Sequence, residues 1–92
     1  MNPKNIKMAG KTHIDHLLQI KSIINELPNI FMQNNKEPLT LRDIYNKMSK
    51  KYYVDLRVLS VVIDTLAITK TNINGKKICV KSFSGRKIYW MA

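Results

Sequence analysis

Near Thr69 the apolar residues change their spacing, from every third or fourth position to every second. That change limits the chain to folds that complete their helices before a terminal sheet. Downstream, "TNINGKK" carries an Asn74-Gly75 turn signal, and "KICVKSF" and "KIYWMA" alternate on either side of Ser84-Gly85. This is the pattern of a β-hairpin. Upstream, three stretches have helical period.

The first helix is expected to open at Thr12. Asp15 lies three residues on, so hydroxyl and carboxylate could cap the orphan N–H groups. Ile14, Leu17, Leu18, Ile20, Ile23, Ile24 and Leu27 then form a broad apolar stripe. Pro28 disfavours helical geometry at Leu27, which sets the expected end there. Thr40 and Asp43 repeat the capping pattern for a second helix, with Leu41, Ile44, Tyr45, Met48 and Tyr52 on one face. Asp55 is the expected cap of the third helix. There Leu56, Leu59, Val62, Ile63 and Leu66 share a core arc, with Arg57, Ser60, Val61, Asp64 and Thr65 opposite and Val58 at the border. The short join between the last two helices is that of a helix-turn-helix unit.

Ninety-two residues suffice for one small core. Residues 1–11, with a Pro, a Gly and three lysines, read as a flexible basic tail, and residues 12–92 as the folded domain. No apolar run approaches the roughly 20 residues that span a bilayer, so no membrane partner is expected. One cysteine, Cys79, excludes an internal disulfide, and no Cys/His cluster has zinc spacing. An intracellular location follows as an expectation: nuclear in a eukaryote, cytoplasmic in a prokaryote or virus.

The order helix–helix–helix–hairpin resembles the winged-helix family over residues 12–92. The resemblance implies an α+β fold, a three-helix bundle with a C-terminal β-hairpin wing. "SGRKIYW" is similar to the closing wing strand of meiotic homologous-pairing proteins, and the aromatic-x-apolar-Ala ending is similar to the last strand of cullin winged helices.

Three registers are open to the hairpin. A two-residue Ser84-Gly85 turn pairs Lys81 with Ile88 and Cys79 with Trp90, so that Trp90 and Ile88 share a face with a lysine. A Ser84-Gly85-Arg86 loop would put an arginine at the last loop position. A Phe83-Ser84-Gly85 loop, with Gly85 at a left-handed bulge, pairs Val80 with Ile88 and Ile78 with Trp90. The last gives one wholly apolar face and is the expected register. It sets Lys81 opposite Lys87, a repulsion of a few tenths of a kcal/mol that an anion would turn into attraction.

Charge supports such an anion. Sixteen Lys and Arg face six Asp and Glu, a formal net charge of +10, which favours a polyanion such as nucleic acid. Asn, Lys and Ile make up 34 of the 92 residues, so an AT-rich coding bias would also yield a basic chain. No phosphate loop, nucleophile elbow or metalloprotease motif occurs. Neither catalysis nor a cofactor, metal or small-molecule substrate is expected.

For winged helices the resemblance implies a third helix in the major groove and a wing on the backbone. The carried-over contacts are Arg57, Ser60 and Val61, surrounded by Lys47, Lys50, Lys51, Lys77, Lys81, Arg86 and Lys87. One arginine and a repelling Asp64 make poor base readout, so the expectation is backbone contact with double-stranded DNA and limited sequence selectivity, in a transcription, replication or recombination factor. The alternative is a protein-docking winged helix, similar to those of cullins and the replication protein A middle subunit. It would use Val58, Val61 and Phe83, or a homodimer built on the first helix.

Overall fold

A computed structural model of the chain describes the backbone of residues 3–35 and 37–92, and the side chains of 16–35 and 37–92. The elements run α1 (Pro3–Gln33), β1 (Leu39–Thr40), α2 (Leu41–Met48), α3 (Leu56–Thr69), β2 (Asn72–Ile73), β3 (Lys76–Phe83) and β4 (Arg86–Met91). The architecture is α+β. Three helices pack beside an antiparallel sheet of order β1-β4-β3-β2, an arrangement compatible with a winged-helix-like fold. Among the described residues no helix is long and apolar enough to cross a membrane.

α1 departs from expectation at both ends. Its helical backbone begins at Pro3, ahead of Thr12. The side chains of the expected tail and of the Thr12–Asp15 cap lie outside the described residues. At the other end the helix continues through Pro28 to Gln33. An interior proline removes a donor and crowds the preceding turn, at a cost of about 3 kcal/mol. Leu27, Ile30 and Phe31, all buried, each contribute about 1.5–3 kcal/mol by leaving water. Packing therefore outweighs the local penalty.

α2 starts as expected. Thr40 Oγ1 accepts from the Asp43 N–H at 3.2 Å, and Asp43 Oδ2 accepts from the Thr40 N–H at 3.4 Å. Thr40 has extended backbone geometry, which lets the capping residue also close β1. α2 ends at Met48, so Tyr52 falls in the following turn and is exposed. Asp55 caps α3 by accepting from the Arg57 N–H at 2.8 Å. Lys70 in left-handed geometry ends that helix, where the Thr71 N–H donates to the Leu66 carbonyl.

Leu59, Val62, Ile63 and Leu66 of α3 meet Ile23, Leu27, Ile30 and Phe31 of α1, Ile44 and Met48 of α2, and Ile78 and Tyr89 of the sheet in one core. Leu56, expected in that core, is half-buried.

The hairpin register corrects the expected one. β3 and β4 are joined by a two-residue turn, Ser84 at φ 51° and Gly85 at φ 77°. Lys81 pairs with Ile88, Cys79 with Trp90, Val80 with Tyr89 and Ile78 with Met91. Two successive residues at positive φ match the right-handed twist of the strands, as a three-residue loop need not. The one-residue slip exchanges the faces. Tyr89, not Trp90, enters the core, and Lys81 and Lys87 lie on opposite sides of the sheet. The lysine repulsion that the other register implied does not arise. Asn74 (φ 53°) and Gly75 (φ 85°) form a second turn of the same kind between β2 and β3.

Candidate nucleic-acid interface

Polar contacts fix α3 and the segment ahead of it against their neighbours. At its start, Gln19 Oε1 on α1 accepts from the Asp55 N–H at 2.9 Å. Ahead of it, Lys51 Nζ approaches the buried Glu26 carboxylate of α1 at 3.3 Å. Midway along, Asp64 Oδ1 accepts from the Tyr89 hydroxyl at 2.7 Å, and its Oδ2 lies 3.4 Å from Lys87 Nζ. The Lys87 side chain is 58% exposed, so that ion pair contributes at most about 1 kcal/mol. The bond from Tyr89 dominates. Burial first, then the hydrogen bond and charge of Asp64, hold the Tyr89 phenol well above its usual range.

Between α3, the start of α2 and β4 these contacts leave an open cleft of about 500 Å³. Ser60 and Asp64 line it from α3, Arg42 from α2, and Arg86, Lys87 and Tyr89 from β4. Asp64 is the acid of that lining, and its two oxygens are bound by Tyr89 and Lys87. Arg42 and Arg86 form no ion pair among the described residues. The cleft therefore presents guanidinium groups beside a hydroxyl, donors suited to a phosphate oxygen.

Of the contacts expected from sequence, Ser60, Arg86 and Lys87 are brought together here. Arg57 and Val61 are not. They line a separate shallow hollow of about 260 Å³ with His16, Ile20, Val58 and Val62, on the side of α3 that faces α1. Lys47 and Lys50 stand at the end of α2, half-buried and exposed respectively, and Lys51 is drawn to Glu26. Lys77 and Lys81 project from the outer face of the sheet, and Phe83 is exposed near the hairpin tip.

Sequence alone does not reveal Arg42, Gln19 or the Asp64–Tyr89 pair. Arg42 reads as a solvated helix residue until β4 is placed beside α2. Tyr89 could have been found only through the two-residue register.

Among the described residues no group of three His, Cys, Asp or Glu could hold a metal ion. His16 is exposed, and the His13 side chain lies outside the described residues. Cys79 is half-buried, with Sγ 3.9 Å from the Lys77 carbonyl. Comparison with protein-family models, curated proteins and solved structures finds no match.

Proposed function

We propose that the chain is a winged-helix module that binds double-stranded DNA mainly through the phosphate backbone, as part of a transcription, replication or recombination factor, and that it is not an enzyme. The observation that carries this reading is the cleft in which Arg42, Arg86 and Lys87 surround Ser60 while Asp64 is occupied by Tyr89 and Lys87. The acid that sequence alone reads as repelling is thereby turned to holding the hairpin against α3. Ser60 is the polar group α3 offers a phosphate or base edge there, so selectivity stays low.

Fluorescence anisotropy of a short labelled duplex across a salt series tests this. Three to five phosphate contacts predict that log K falls with log salt at a slope of about −2.7 to −4.5. Arg86→Ala and Arg42→Ala each lower the steepness by about one unit, alike on unrelated sequences. Lys51→Ala changes it little, because Lys51 lies outside the cleft and faces Glu26. No duplex binding at low salt overturns the reading.

A second reading, docking of a protein partner or a second copy, is favoured by apolar exposure. Leu17 and Leu18 on α1 are 56% and 55% exposed and Val61 on α3 is 65% exposed. Sedimentation over a concentration series tests the homodimer: a mass fixed at one chain throughout opposes it.

A further inference from the structure

The register places Trp90 on the outer face of the sheet, across from Cys79 and diagonal to Lys81, with Ile88 beside it. The Lys77 and Ala92 backbones exchange hydrogen bonds of 2.9 and 3.0 Å, which carries the same alternation one pair further and brings Lys77 to that face. Trp90 is half-buried there, whereas Lys77, Lys81 and Phe83 are exposed. No acidic residue follows Asp64 in the chain, so β2, β3 and β4 contribute cations and no anion to this surface.

We infer that this outer face is a stacking platform for single-stranded nucleic acid, with a base laid on the indole of Trp90 and phosphates drawn to Lys77 and Lys81. The two lysines are four residues apart on one strand, roughly 13 Å at the usual rise, and stand diagonally to either side of Trp90. An aromatic ring on an open sheet face between cations can take an unpaired base of any identity, because every base has a π-face. A duplex keeps its base faces stacked inside, so it has nothing to lay on the ring. Charge complementarity selects the polyanion and the indole selects its single-stranded form. This surface is separate from the α3–β4 cleft, and the inference does not rest on duplex binding there.

Trp90 is the chain's single tryptophan, so its emission reports on this face alone. The experiment titrates the full chain with short oligothymidylate at low salt, following tryptophan emission and the anisotropy of the labelled oligonucleotide together. The expected result is quenching that saturates with the anisotropy rise, and no quenching by a duplex of the same length. Trp90→Ala should weaken oligothymidylate binding about tenfold, the loss of one stacked base, with Trp90→Phe retaining most of the affinity. Lys81→Glu, an exposed change whose circular dichroism spectrum should match wild type, should also weaken it. Binding that leaves Trp90 emission unchanged, no binding at all, or wild-type affinity in Lys81→Glu would each overturn the inference. Duplex anisotropy on the same samples reads the cleft separately, so the two accounts fail independently.

Discussion

The Tyr89 hydroxyl donates to Asp64 Oδ1 at 2.7 Å, joining β4 to the middle of α3. The ring is buried in the core, so its position is set by packing and its hydroxyl then fixes the carboxylate. One bond thus relates the hairpin to the helix on either side of the cleft. Replacing Tyr89 by Phe keeps the ring and removes the donor. A hydrogen bond to a charged acceptor contributes about 1.5–3 kcal/mol. Asp64 keeps Lys87 and some solvent, which places the expected loss at the low end, about 1.5 kcal/mol by urea denaturation. Unchanged stability would show that the bond is not formed in solution.

The same phenol predicts how stability responds to alkali. In the unfolded chain a tyrosine ionises near pH 10, while the folded Tyr89 stays protonated to higher pH. Above pH 10 the unfolded chain therefore binds fewer protons, and stability falls as pH rises. The contribution is fully present below pH 10. The measurement is the difference between wild type and Tyr89→Phe from pH 8 to pH 11, in which contributions from all other groups cancel. The difference should narrow above pH 10; a constant one would contradict a raised phenol.

Ser84 carries a positive φ that glycine and asparagine tolerate better. Ser84→Asn should stabilise the chain by about 0.5 kcal/mol. At Gly85 no atom lies within 4 Å of where a Cβ would stand. Gly85→Ala should therefore cost about 1 kcal/mol through backbone geometry alone. Thermal midpoints that move the opposite way would contradict the two-residue turn.

Gln19, buried on α1, accepts from the backbone of the residue that caps α3. Gln19→Ala leaves the Asp55 N–H without that partner and should cost about 1–2 kcal/mol. Hydrogen exchange at Asp55 should accelerate more than at the centre of α3. Equal acceleration at both sites would mean the contact does not pin the helix start.

The local signals in the sequence read well where chemistry is local. The Thr40–Asp43 box, the Asp55 cap, the Asn74-Gly75 turn and the core arc from Leu59 to Leu66 all depend on residues a few positions apart. The errors arose where distant packing decides. Pro28 is a stop signal that the buried Leu27, Ile30 and Phe31 override. The hairpin register is hidden in the sequence because a wholly apolar face looks like the inner one. The core instead accepts Tyr89, whose hydroxyl is satisfied by Asp64, and leaves Trp90 outside. β1, only two residues long, has no period to detect. Without it Arg42 has no visible relation to Arg86.

Duplex binding as proposed brings the phosphate backbone to the cleft between α3 and β4. Titration of the isotopically labelled chain with a short duplex, followed by amide and arginine side-chain resonances, tests it most directly. The largest shifts should map to Arg42, Ser60, Arg86 and Lys87, and fade as salt is raised. Shifts confined to Leu17, Leu18 and Val61, or none at low salt, would contradict it.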